Sequence, residues 1–243
     1  MLEIDNLEYA INGTSLIREI SLKFKPGILY AILGPNGSGK STLLKSLSNI
    51  WIPTRGRVVW QGEDLLQLSR PLMSKTISLV PQNPQLFLDF DVYSMVAMGR
   101  YPYGCRSIDS QKKVEKSLRQ VNAWHLEHKC LSQLSGGERQ RVYIARSLAT
   151  DAPIVLLDEP TSHLDLRHQL EIWQLLRLLT KEGKLLITVV HDLLAAKRFC
   201  DQFVILNQGK CEAAGSWEEV MTSERLRHVF NVSHHTIEGR FEL

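Results

Sequence analysis

Nine consecutive residues, "GPNGSGKST" at 34–42, limit what this chain can become more than any other stretch. The apolar run "ILYAIL" precedes them and "KSTLLKSLSNI" follows, so the chain passes from a buried strand through a glycine loop into a helix. Gly34, Gly39, Lys40 and Ser41 satisfy the G-x-x-x-x-G-K-[ST] pattern within that context. Glycines let successive backbone N–H groups converge on phosphate oxygens, and the helix behind them adds the positive end of its dipole. Lys40 is placed to reach the β and γ phosphates of a nucleotide, and the Ser41 hydroxyl to ligate Mg²⁺. Pro35, Asn36, Gly37, Ser38 and Thr42 complete the set of expected nucleotide contacts.

A loop of this kind needs an acidic partner, and "IVLLDEP" at 154–160 supplies one. Its apolar residues bury a strand, and Asp158 emerges at the carboxyl end, where an α/β sheet binds its ligands. Asp158 is expected to hold Mg²⁺ through water, and Glu159 is the next carboxylate toward the phosphate. A second glycine-bearing stretch, "LSGGERQ" at 134–140, pairs Ser135 with Glu138 as a capping box for a helix running on through "RQRVYIARSLA". Val142, Ala145 and Leu148 recur at helical spacing and face a core, while Arg139, Arg141 and Arg146 are expected to be solvated or paired. Gly136 and Gly137 weaken a first helical turn unless something must approach the backbone closely.

The rest of the chain supports an α/β fold. Strand-like runs joined by "NGTS" and "KPG" fill residues 2–32, "GRVVWQGEDL" adds a strand and a turn, and "TISLVPQ" is a strand ending at Pro81. Residues 83–133 carry few strand signals and include "GRYPYG", which marks an inserted, mostly helical lobe; with the "LSGG" helix it extends over roughly 83–150. Strands return with "APIVLLDEP" and "KLLITVVHD", separated by a helix over 166–181, and imply a largely parallel sheet with helices on its faces. "FVILNQGKCEAAG" reads as a hairpin, and Ser216 with Glu219 caps a closing helix. All 243 residues are expected to form one domain.

Composition narrows the partners. Lys plus Arg is 29 against 26 Asp plus Glu, a balance of +3, which gives no basic stripe for nucleic acid. Cys105, Cys130, Cys200 and Cys211 lack metal-ligand spacing, no apolar leader precedes "MLEIDNLEY", and no apolar run approaches membrane-spanning length. His125 with His128, and His234 with His235, lack acidic or cysteine companions and read as surface histidines; "IEGR" at 237–240 is compatible with a native terminus.

Taken in order, these motifs resemble the ATP-binding subunits of ABC transporters. The resemblance spans essentially the whole chain: the loop "GPNGSGKS", Gln82 in "VPQ", the signature "LSGGERQ", "IVLLDE", "SHLD" at 162–165 and His191 in "VVHD". It implies a P-loop NTPase core with an N-terminal antiparallel β subdomain and an inserted helical subdomain, using ATP and Mg²⁺. It further implies a head-to-tail dimer in which Ser135, Gly136 and Gly137 of one copy cap the γ-phosphate held by the other. Glu159 would orient or deprotonate the attacking water, His191 would contact the γ-phosphate, and Gln82 would sense Mg²⁺ and link the site to the helical lobe. Asp165 would communicate across the dimer. The family's adenine-stacking aromatic falls at Ile11 by counting; Tyr9, on the same strand face if the strand is regular, either substitutes for it or is ordinary strand packing.

"VYSMVAMGRYPYG" at 92–104 resembles subunits that serve iron-siderophore, haem or cobalamin uptake, with zinc or manganese importers also similar. That implies a peripheral subunit on the cytoplasmic face of the inner membrane, docked on polytopic permease subunits and served indirectly by an extracytoplasmic solute-binding protein, with no nucleic-acid partner. The alternative is an ABC-type ATPase acting in soluble assembly.

Overall fold

The computed structural model describes residues 1–82, 88–104, 107–162 and 164–231. In chain order come β1 (Leu2–Ile11), β2 (Thr14–Phe24), β3 (Leu29–Leu33), α1 (Lys40–Leu47), β4 (Arg55–Trp60), β5 (Glu63–Asp64), α2 (Arg70–Thr76) and β6 (Ile77–Val80). Then follow α3 (Val92–Ala97), a 3-10 helix (Met98–Tyr103), α4 (Ile108–Gln120), α5 (Gly136–Ala149), β7 (Ile154–Asp158), α6 (Leu166–Lys181) and β8 (Leu185–Val189). Then come α7 (Leu193–Phe199), β9 (Gln202–Asn207), β10 (Lys210–Gly215) and α8 (Trp217–Val220), and the described chain closes with short helical turns at Ser223–Arg225 and Leu226–Phe230.

Two sheets result. The first is antiparallel, in the order β2-β1-β4-β5. The second runs β10-β9-β3-β8-β7-β6; β9 and β10 form an antiparallel hairpin and every other neighbouring pair is parallel. Every residue of β3, β7 and β8 is buried, as continuous apolar strands covered on both faces should be. Alternation along β3 divides the interior: Leu29, Ala31 and Leu33 join a core with the helices α3 to α6, whereas Tyr30 and Ile32 join a core with α1 and the antiparallel sheet.

The helical insertion is built from α3, α4 and α5, which lie between Val92 and Ala149. The part of the expected lobe at 83–87 lies outside the described residues, as do Cys105, His163, His234, His235 and the "IEGR" segment. Arg100 organises the "GRYPYG" turn. Its guanidinium is only 3% exposed, donates to the Ala149 carbonyl at 3.0 Å and to Asp109 at 3.1 Å, and lies 3.9 Å from the Tyr103 ring. One buried cation therefore ties the turn to the end of α5 and the start of α4, with its charge compensated.

Three local expectations change. β1 is not regular: Asn6 takes a φ of 46° and its pairing with β2 shifts register between Ile4 and Leu7, between Leu7 and Tyr9, and between Tyr9 and Ala10. The bulge within β1 lies at Asn6; between Tyr9 and Ile11 the extra residue belongs to β2, so these two residues keep the period that puts them on one face. Of the three α5 arginines, Arg141 pairs with Glu171 at 3.0 Å and Arg139 donates to the Leu134 carbonyl at 3.2 Å. Arg146 makes no salt bridge among the described residues; it is half-buried, with Nη1 3.8 Å from Met95 Sδ and its guanidinium 5.8 Å from the Tyr143 ring centroid. Third, Gly137 has an internal reason to be glycine, described below. Val142, Ala145 and Leu148 do face the core.

Candidate functional site

The glycine loop hangs from the carboxyl end of β3. Gly39 occupies the cap position of α1 with a φ of 99°, where a side chain would be strained, and a Cβ there would come 2.8 Å from the Leu16 carbonyl. α1 consequently has no side-chain cap and no acidic residue in its first turn. Its N–H groups and dipole are directed at whatever anion the loop holds. The Ser38 hydroxyl is buried with no hydrogen-bond partner. An uncapped helix start and an orphaned buried hydroxyl in one loop fit a phosphate group.

Lys40 is buried, and its ammonium donates to the Gly34 and Pro35 carbonyls at 2.8 and 2.9 Å. Burial holds its pKa below the ordinary value, with Glu159 and Asp158 pulling it back up. Ser41 Oγ donates to Asp158 Oδ1 at 3.0 Å. Burial pushes the Asp158 carboxyl above the usual carboxylate range despite that bond, and the neighbouring Glu159 charge adds to the rise. A hydroxyl and a carboxylate meeting at the mouth of the loop are the oxygen donors a hard divalent cation takes, so the residues fit Mg²⁺.

Glu159 has both carboxylate oxygens engaged. Gln82 Nε2 donates to Oε2 at 2.6 Å, and His191 Nε2 stands 2.6 Å from Oε1. Gln82 arrives from the end of β6, Glu159 from the end of β7 and His191 from just beyond β8, so three strand ends converge on one point. Glu159 itself adopts a φ of 51°, an unfavourable value for a non-glycine residue that turns its side chain off the strand axis. A cavity of about 240 Å³ beside these groups is lined by Leu16, Asn36 to Thr42, Glu159 and His191.

Other expected residues lie elsewhere. Tyr9 does not line this cavity; its ring stacks on Trp51 with centroids 5.3 Å apart, and Lys45 covers the Trp51 ring. Ile11 is 49% exposed. Ser135, Gly136 and Gly137 are also not among the lining residues, so within one chain the two glycine cradles are separate. Ser135 caps α5 in the expected capping box with Glu138. Asp165 caps α6, accepting from the His168 backbone at 2.9 Å. Sequence reasoning did not single out Leu16, which lines the cavity as an ordinary apolar strand residue, or His168, whose contact with Gly137 leaves no local signal.

These features define a nucleotide-binding protein of the phosphate-loop class, with its loop, its acidic strand end and the polar residues around Glu159 at the carboxyl ends of a parallel sheet. The model of the ABC transporter family matches residues 17–162, and the chain belongs to that family. Among curated relatives, the hemin import ATP-binding protein HmuV of Pseudomonas putida is 37% identical, with 96% of this chain and 93% of that protein aligned. The cobalamin import ATP-binding protein BtuD of Halobacterium salinarum is 35% identical over 95% of this chain, which spans 58% of that protein's length. The achromobactin transport ATP-binding protein CbrD of Dickeya dadantii is 37% identical, covering 90% of this chain and 83% of CbrD. Among solved structures, cbiO1 of Clostridium perfringens, part of the ABC transporter complex cbiONQ, superposes with a TM-score of 0.79 at 31% identity, covering 93% and 92% of the two chains. The dimeric bacterial ABC transporter cassette MJ0796 gives 0.77 at 30% identity, covering 89% and 98%. No helix among the described residues is long and apolar enough to cross a membrane.

Proposed function

We propose that this chain hydrolyses ATP to energise an importer for an iron chelate, haem, cobalamin or a transition metal. The observation that carries the hydrolytic part is the clamped Glu159. With both oxygens fixed by Gln82 and His191, the carboxylate cannot rotate, yet it retains lone pairs to orient a water and take its proton. Lys40 and the uncapped start of α1 supply positive charge to the phosphates. Ser41 and Asp158, with Gln82 nearby, would hold Mg²⁺, which would supply positive charge against the phosphates. Phosphoryl transfer depends on such positioning and charge stabilisation more than on covalent chemistry.

Two cradles that do not meet within a chain favour a head-to-tail dimer, as does the likeness to a dimeric cassette. In it Ser135, Gly136 and Gly137 of one copy complete the ATP site of the other, with Asp165 at the seam. The import reading draws on the hemin, cobalamin and achromobactin relatives. A groove of about 370 Å³ between α2, the "GRYPYG" turn and α5 suits a membrane permease subunit, because exposed Ile50 and Tyr101 stand along it at 58% and 80%. The protein would then work as a peripheral subunit on the cytoplasmic face of the inner membrane, with an extracytoplasmic solute-binding protein delivering cargo to the pore.

Glu159→Gln tests the hydrolytic role: ATP binding is retained, turnover is lost and a dimer accumulates. Normal hydrolysis by that variant removes the assignment. For cargo, the chain is recovered from detergent-solubilised native membranes and its companions are identified; a polytopic permease supports import, and only soluble companions remove it.

A further inference from the structure

The first turn of α5 and the loop entering α6 are joined inside one subunit. A Cβ added to Gly137 would meet the His168 ring at 2.8 Å from Cγ, 3.0 Å from Cδ2 and 3.1 Å from Nδ1. The imidazole therefore occupies the space beside this glycine, and the direction a methyl would take leads into α6. Gly136, by contrast, has only the tip of Leu164 within 4.0 Å. His168 Nδ1 also lies 2.9 Å from Asp165 Oδ1, the same oxygen that accepts the His168 backbone N–H. One turn further along, Arg141 of α5 pairs with Glu171 of α6 at 3.0 Å, and Glu171 pairs again with Arg167 at 3.1 Å. The two helix starts are thus tied by a packed ring and by an ion pair.

We infer that His168 is a positioning residue: its imidazole, seated on Gly137 and against Asp165, sets the "LSGG" turn and Asp165 in one fixed relation so that both reach the partner's ATP together. The inference rests on the head-to-tail reading above. His168 touches no nucleotide in this scheme and acts through its two neighbours. Gly137 is glycine on this account because a ring lies beneath it, and Gly136 is the member of the pair that leaves its outer face open.

The test uses full-length Glu159→Gln protein with Mg-ATP, following the dimer fraction against ATP concentration by size-exclusion chromatography. Fluorescent ATP-analogue binding to the monomer is measured in parallel. His168→Ala in this background is expected to raise the ATP needed for half-dimerisation about tenfold, the size of losing one interaction with a charged group, while monomer binding changes less than about twofold. His168→Asn, which keeps a planar polar group beside Asp165, recovers most of the dimer. Gly137→Ala impairs dimerisation, and by less in the His168→Ala background than in the parent, because the new methyl enters the space the ring has left. A His168→Ala protein that dimerises at the parent's ATP concentration overturns the inference. So does a Gly137→Ala effect of the same size with and without the His168 ring, since the two residues would then act independently. A Glu159→Gln parent that forms no dimer removes the head-to-tail reading, and the inference with it.

Discussion

His191 Nε2 stands 2.6 Å from Glu159 Oε1, although 32 residues separate them in the chain. Because β7 and β8 are adjacent and parallel, the segments leaving their carboxyl ends are neighbours, and the contact follows from sheet order. His191 is 44% exposed on its side chain while Glu159 is 13%, so the histidine forms the outer wall of the pair. Removing it with His191→Ala frees one carboxylate oxygen to rotate. Steady-state ATPase assays should show kcat reduced on the order of 10²-fold with KM little changed, the pattern of an interaction used in the transition state.

Asp158 predicts a pH-dependent demand for metal. Its carboxyl is held above the usual range by burial, so it takes up a proton at a higher pH than a free aspartate does. Protons and Mg²⁺ compete for it, and the Mg²⁺ concentration for half-maximal ATPase activity should rise as pH falls toward that raised value. In the absence of metal the sign for folding is the reverse of a salt-bridged carboxylate: the folded state binds the proton more readily, so this group's contribution to stability declines as pH rises from the unfolded value through the folded one. Asp158→Asn should remove both trends in Mg²⁺ titrations and denaturation curves taken across pH.

The capping box at the head of α5 gives an acid-side prediction of opposite sign. Hydrogen bonds from the Ser135 backbone and hydroxyl hold the Glu138 carboxyl below its ordinary value of 4.5. Its contribution to stability is therefore complete above 4.5 and is lost as pH falls through the lowered pKa. Ser135→Ala should cost about 1 kcal/mol in urea unfolding at neutral pH. Ser135→Arg should leave nucleotide binding by the monomer intact and prevent the ATP-dependent dimer, seen by size-exclusion chromatography.

Trp173 on α6 is 1% exposed and stacks on Phe199 of α7 with centroids 5.3 Å apart. Trp173→Ala leaves a large cavity in the core that β3 shares with the helices, and about 3–5 kcal/mol of stability should be lost in chemical denaturation.

Much of the candidate site was legible in the chain because its residues sit in short local patterns. The loop at 34–42, the acidic pair after β7 and the histidine after β8 each follow a strand whose apolar run announces it. Parallel neighbours then deliver them to one edge. The features that escaped depend on contacts between distant segments. Tyr9 was placed by strand period alone, which does not report that its ring stacks on Trp51 from beyond α1. Arg146 followed a helical pattern that cannot tell a solvated cation from one half-buried beside Met95 of α3. Gly137 and His168 lie 31 positions apart, and nothing in either stretch reports that a ring fills the missing side chain's place.

β3 supplies alternate residues to both interiors, with Leu29, Ala31 and Leu33 on one side and Tyr30 and Ile32 on the other. Neither core can loosen without disturbing this strand, so the two halves melt as one cooperative unit. Its amides should be among the slowest to exchange in a hydrogen-exchange measurement. The loop at 34–42 is therefore suspended from a strand anchored on both of its faces.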